Sequence, residues 1–306
     1  MSELKDFTFQ SSTGNNTIRA RMCMPAEQPR AILQIAHGIA EHIERYDDFM
    51  MYLAENGILA VGNDHLGHGP YADELGFFAE NDGWSHVVDD MDILYHTMRA
   101  SYPSLPYIFF GHSMGSFLTR TYLIRYPNKP NLAIICGTGH QARPAVDAGY
   151  AMAEAAVKLY GAHRPGEMLN KIAFGSYNSR YTDVRTAYDW LSRDTETVNK
   201  YMADEYCGFI PSVGLFRDMM GGVRFITDAS NIAKMNKETP ILFIAGYADP
   251  VGEYGKGVKR AYKAFISAGV QHVHIKLYPG ARHELLNELN KGEVMQDILN
   301  WIDSKL

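Results

Sequence analysis

Residues 107–125 read YIFFGHSMGSFLTRTYLIR. The first four are apolar and β-prone, and the stretch from Met114 to Tyr126 reads as a helix. Between them, GHSMG at 111–115 fits the pattern G-x-S-x-G. A strand running into that pentapeptide and a helix leaving it is the setting that puts a serine on a sharp, exposed turn. Only small side chains fit beside such a serine, which gives Gly111 and Gly115 a steric role. The Ser113 hydroxyl then stands at the C-terminal end of its strand. The Met114 N–H and the helix dipole lie beside it, where negative charge would develop on an attacked carbonyl.

A serine hydroxyl is a poor nucleophile until a base takes its proton, and the base needs an acid to orient it. Along chains with this elbow the order is serine, acid, histidine. Three late histidines compete. His272 and His274 alternate within a strand pattern and read as ordinary strand residues, whereas His283 lies in the following loop, YPGARHE. A loop past a strand end can reach the elbow, so His283 is the expected base. Asp249 follows the apolar run ILFIAG (241–246) directly, and ligands gather at such strand ends. It is the expected acid, ahead of Glu253 and Asp228. HGIAEH (37–42) follows another apolar run, AILQIAH, and the backbone N–H of Ile39 is the candidate second oxyanion donor. A plain strand-end turn relaxed by Gly38 is the alternative reading there.

Working outward, short β-rich runs alternate with amphipathic stretches, the pattern of a mostly parallel sheet covered by helices. The runs around 7–10 and 17–24 form an expected hairpin. AILQIAH, ILAVGND (58–64), YIFF, LAIIC (132–136), ILFIAG and HVHIKLY (272–278) are the expected further strands. A helix is expected over 46–55 and another from Trp84, with Val87, Met91, Leu94, Tyr95 and Met98 on one face. Residues 65–83 read as a loop, and further helices are expected over 256–268 and 293–303. From about 140 to 227 the alternation fails, and several helical patterns appear without a buried strand. The simplest organisation is one core, 1–139 and 228–306, with a helical cap inserted at 140–227.

In order, HGIAEHIERY, NDHLGHG, GFFAENDGW, GHSMG, AGYADPVG and PGARHE resemble the monoacylglycerol lipase and lysophospholipase-like branch of the α/β-hydrolases. That resemblance implies an α/β-hydrolase fold and a serine hydrolase acting on a small acyl ester. It carries Ser113, Asp249 and His283 across as a triad, with Ile39 and Met114 in the oxyanion hole, and it implies no cofactor and no metal. Ala40 stands where the family frequently has glycine. The insertion matches the family least well.

The insertion is rich in large apolar residues, among them Met152, Tyr160, Met168, Phe174, Tyr188, Trp190, Phe209 and Phe216. They are expected to divide between the insertion's own core and an acyl pocket. Arg180, Arg185 and Arg193 are candidates for polar specificity toward a phosphate or carboxylate. His65 and His68 lack a ligand set of known spacing and read as loop structure. With 29 basic against 35 acidic residues, and no basic cluster, nucleic acid is an unexpected partner. Three cysteines without a CxxC pair argue against a disulfide framework. The polar start, MSELKDFTFQ, has no apolar signal core, and a cytoplasmic setting is expected. Two other readings stay open: an aminopeptidase-type amide hydrolase on the same fold, and a non-catalytic receptor.

Overall fold

The computed structural model describes residues 3–306. Eight strands form one sheet: β1 (Glu3–Gln10), β2 (Thr17–Met24), β3 (Ala31–Ala36), β4 (Ile58–Asn63), β5 (Tyr107–His112), β6 (Leu132–Cys136), β7 (Ile241–Gly246) and β8 (Val273–Tyr278). Their spatial order is β1-β2-β4-β3-β5-β6-β7-β8. The β1–β2 hairpin and the β2–β4 pair are antiparallel, and every other pairing is parallel.

Burial explains the sequence pattern. Every residue of β3, β4, β5, β6 and β7 is buried, so these strands read as nearly continuous apolar runs, interrupted within β3 by the buried Gln34, which is bonded to the Tyr107 hydroxyl and the Met91 carbonyl. The edge strands β1 and β8 alternate instead, because only one of their faces meets the core. His274 falls on the open face of β8, and His272 is exposed just before it.

Helices cover both faces. The core helices are α1 (Asp47–Glu55), α2 (Gly83–Ser101) and α3 (Met114–Arg125). Between β6 and β7 come α4 (Arg143–Tyr160), α5 (Glu167–Phe174), α6 (Thr195–Ala203), α7 (Val213–Thr227) and the short α8 (Ala229–Ile232). The chain ends with α9 (Lys256–Ser267) and α10 (Lys291–Asp303). The predicted stripe of α2 is entirely buried, and it joins Phe109, Tyr122 and Phe243 in the larger core. A second core on the opposite face joins Ile108 and Phe110 of β5 to α1 and α10. Alternate residues of one strand thus feed two cores.

The segment between β6 and β7 contains no strand, and α7 carries it onto the body by packing against α2, α3 and α4. One fully buried side chain pins both of its ends. Arg120 of α3 donates to Thr138 Oγ1 (3.2 Å) and the Gly139 carbonyl (2.8 Å) where the segment begins, and to the Ile226 carbonyl (3.2 Å) where it ends.

Candidate active site

Ser113 ends β5 and opens α3 with φ 53° and ψ −120°, in the left-handed half of backbone space. For a residue with a side chain this costs of order 1–3 kcal/mol and persists only where the surroundings over-determine it. Here they do. The Ser113 N–H donates to the Cys136 carbonyl at 3.0 Å. Its own carbonyl accepts from the Ser116 N–H (2.9 Å) and the Ser116 hydroxyl (2.5 Å). A Cβ on Gly111 would run into the Gly115 carbonyl, and one on Gly115 into the carbonyls of Ala36 and His37. The two glycines let the first turn of α3 press against the end of β3.

His283 lies in the loop after β8 and Asp249 in the loop after β7, both almost fully buried. His283 Nδ1 is 3.0 Å from Asp249 Oδ1. The same oxygen accepts the Val251 N–H at 2.8 Å, which fixes the carboxylate. Burial alone would lower the His283 pKa, but the Asp249 carboxylate overrides it and holds the imidazole above its ordinary range. His112, whose ring centroid is 4.6 Å from that of His283, is pushed the other way, to about 4, by burial and by the charge of His283. It therefore stays neutral near pH 7 and puts no cation beside His283. The rival acids are occupied elsewhere: Glu253 pairs with Arg260, while Asp228 caps α8 and pairs with Arg143.

The loop after β3 faces Ser113, and a Cβ on Gly38 would sit 3.2 Å from the Ser113 Cβ. Within it, the Gly38 amide is taken up by Glu41 Oε1 at 2.5 Å. No acceptor among the described residues takes the amides of Ile39 or Met114. Ala40 follows at φ 53°, which explains why a glycine suits that position. Its strained backbone is held from across the chain: the Ala40 carbonyl accepts from the Tyr201 hydroxyl (2.9 Å) and the Gly208 N–H (3.0 Å). His37 anchors the loop from below, with Nδ1 2.7 Å from the Gly38 carbonyl and Nε2 accepting the His65 N–H at 2.9 Å. His65 and His68 pack around that ring as loop structure, with centroids 4.1 and 5.2 Å from it.

Beneath the loop lies a buried ionic network. Arg45 bonds Glu41 Oε2 at 2.6 Å and clasps both oxygens of Glu284 at 2.6 and 2.7 Å, while the Tyr46 hydroxyl donates to Glu41 at 2.9 Å. Burial would raise the Glu41 pKa, but Arg45 and the Gly38 amide hold it below the usual carboxylate range. Glu41 thus ties the Ser113-facing loop to the residue next to His283. Glu41→Ala is expected to cost about 3–5 kcal/mol, since it breaks a buried charge pair and frees the Gly38 amide. Urea unfolding measures this; a loss under about 1 kcal/mol would show that the network carries no such load.

Ser113 and His283 open onto one cavity of about 340 Å³. Its far walls come from the β6–β7 segment: Phe174, Trp190, Leu191, Phe209 and Pro211 are apolar, and Asn170, Lys171 and Asn178 are polar. Trp190 lies over the His283 ring at 5.1 Å between centroids. Its carbonyl accepts the His283 N–H at 3.4 Å, and the Leu191 carbonyl takes the Glu284 N–H at 2.8 Å. Phe216 is buried within the segment's own packing, whereas Met152, Tyr160 and Met168 lie on the outer surface and serve neither core nor pocket.

None of the three candidate arginines lines the cavity. Arg193 is paired with the buried Glu288, Arg185 with Asp189, and Arg180 lies over the Tyr254 ring at 4.0 Å. Carboxylates within the chain thus already pair Arg185 and Arg193.

A family model described as serine aminopeptidase, S33 (Hydrolase_4), matches residues 27–290. The chain belongs to this family. Within it, the chain is 29% identical to a monoacylglycerol lipase of Mycolicibacterium smegmatis, over 92% of this chain and 91% of that one. It is 26% identical to the monoglyceride lipase of Rattus norvegicus, over 94% and 86% respectively. The fold superposes with a TM-score of 0.92 on a highly thermostable carboxyl esterase from Bacillus coagulans in complex with glycerol, at 29% identity and 99% coverage of both chains. A lipase in an open form gives 0.89 at 26% identity, again over 99% of each chain. The architecture is that of the α/β-hydrolases.

Sequence reasoning missed Glu41, Arg45 and Glu284, although all three lie in the motifs quoted above. The i, i+4 spacing of Glu41 and Arg45 was a usable signal. The partner 239 residues further on had no local trace.

Proposed function

We propose that this carboxylic ester hydrolase cleaves small acyl esters, of the monoacylglycerol or lysophospholipid type, through an acyl-enzyme on Ser113. The observation that carries the reading is convergence. The Asp249–His283 pair, the strained Ser113 and the free amides of Ile39 and Met114 gather around one partly open, mainly apolar cavity. His283 takes the Ser113 proton as the oxygen attacks the ester carbonyl. The two amides receive the oxyanion, and Asp249 stabilises the imidazolium. The alcohol leaves with the proton from His283. Water, activated by the same base, then cleaves the acyl-enzyme. Residues 140–227 act as the cap that shapes the acyl site and fastens the His283 and Ala40 loops.

The ester class is supported by the lipase and esterase relatives and by the cavity's apolar walls. Its volume lies at the low end of the range for ligand pockets, roughly 300–1,000 Å³, which favours short to medium acyl chains. The family description keeps an aminopeptidase reading in view. A substrate amine would need a free acid near Ser113. The carboxylates on the cavity wall, Glu41 and Glu284, are both taken by Arg45.

Hydrolysis of p-nitrophenyl esters of graded chain length, of a monoacylglycerol and of aminoacyl p-nitroanilides tests this. Ester turnover with an optimum at short or medium chains, and negligible anilide turnover, is the expected result. Faster turnover of the anilides than of every ester would overturn the reading.

A further inference from the structure

We infer that His42, Asp204 and Cys207 form a binding site for a thiophilic divalent cation such as Zn²⁺, bridging the Ala40 loop to the segment between β6 and β7. One ligand atom from each of the three lies within 4.8 Å of the other two. His42 stands at the start of the turn leading to α1, 162 residues before Asp204. Its Nε2 is 2.8 Å from Asp204 Oδ2, and its Nδ1 is buried without a partner among the described residues. Asp204 and Cys207 share one side of a tight turn, closed by the Cys207 N–H on the Asp204 carbonyl at 3.1 Å. The other carboxylate oxygen of Asp204 is fixed by the Tyr206 N–H at 2.9 Å, so Oδ2 is left to face the cluster.

Imidazole, carboxylate and thiolate on a compact triangle are a donor set that suits Zn²⁺ better than Mg²⁺ or Ca²⁺, which prefer oxygen alone. Tetrahedral coordination with bonds of about 2.0 Å separates nitrogen and oxygen donors by about 3.3 Å, so the His42–Asp204 pair opens by only about 0.5 Å. Asp204 is part-exposed, which gives solvent a path in and leaves room for water as a fourth ligand. On binding, the Cys207 S–H gives its proton to solvent and the sulfur bonds the metal. Gly208, the next residue, donates to the Ala40 carbonyl, so a bound cation fastens the same junction that holds the Ser113-facing loop.

The test is titration of the reduced, chelator-treated full-length protein with Co²⁺, a spectroscopic substitute for Zn²⁺. Cys23 and Cys136 are buried inside β2 and β6, so Cys207 is the accessible thiol. The expected result is one equivalent of Co²⁺ with a thiolate charge-transfer band in the near-ultraviolet, bleached by Zn²⁺. Cys207→Ser loses the band, and His42→Gln weakens binding by at least about tenfold. Absence of the band from the wild-type protein at saturating Co²⁺, or its persistence in Cys207→Ser, would overturn the site. The wild-type arm involves no variant, and neither readout depends on hydrolysis. Failure here is therefore separable from failure of the ester-hydrolase reading.

Discussion

Ser113→Ala is expected to lower kcat on the best ester by several orders of magnitude, on the order of 10⁶ where the oxyanion donors and cavity alone remain. The loss should fall on kcat far more than on KM, because the hydroxyl contributes to bond-making and little to ground-state binding. Stability should hardly change. The bonds that fix the elbow run through the Ser113 backbone and the Ser116 hydroxyl, and alanine keeps them. Alanine also inherits the same φ of 53°, so the strain is not relieved. Steady-state kinetics beside a thermal melt checks both halves. A variant that folds normally and still turns over esters within about tenfold of wild type would remove Ser113 from the mechanism.

Asp249→Asn is expected to cost on the order of 10⁴ in kcat and to move the acid limb of the pH–rate profile. In the proposed mechanism His283 becomes an imidazolium inside a buried site as it takes the serine proton, and the Asp249 carboxylate, 3.0 Å away, is the charge that would stabilise it. Asparagine keeps the shape and can still accept the Val251 N–H, but it is neutral. The direction of the pH shift follows from the opposing causes. In the wild type the carboxylate holds the His283 pKa above normal, so activity rises with pH through a midpoint above that of an ordinary histidine. Without the charge, burial dominates and lowers the pKa, so the residual activity of the variant should rise at lower pH than in the wild type. An acid limb that stays in place, or moves upward, would mean that Asp249 does not govern this base.

Both variants probe a site that is legible in the sequence for a specific reason. A tight strand-to-helix turn leaves a local signature, since Gly111 and Gly115 are dictated by backbone contacts within a few residues or with the adjoining β3. Fully buried parallel strands leave apolar runs, and the face of α2 leaves its 3.6-residue period. Asp249 and His283 were singled out because strand ends in such a sheet converge, and the fold brings their side chains within 3.0 Å of each other. Small differences in boundary, such as α10 beginning at Lys291 where the apolar pattern suggests 293, reflect polar first-turn residues that carry no burial signal.

The arginines of the insertion show the opposite case. A guanidinium carries the same charge in any sequence, and whether it faces a ligand depends on which carboxylate the fold brings to it. Glu288 and Asp189 claimed Arg193 and Arg185.

By itself, then, the sequence determined which runs form the sheet's buried strands, the elbow and the chemical types gathered at the strand ends, because each is imposed by contacts close in the chain or by a period; the spatial order of the strands is a property of the fold. Only the tertiary structure decided that Arg45 joins Glu41 to Glu284, that Trp190 holds His283, and that Tyr201 and Gly208 brace Ala40. Apart from the i, i+4 contact of Glu41 with Arg45, those pairings join residues about 90 to 240 positions apart. They have no local period or motif, and they exist only because the chain packs one loop against another.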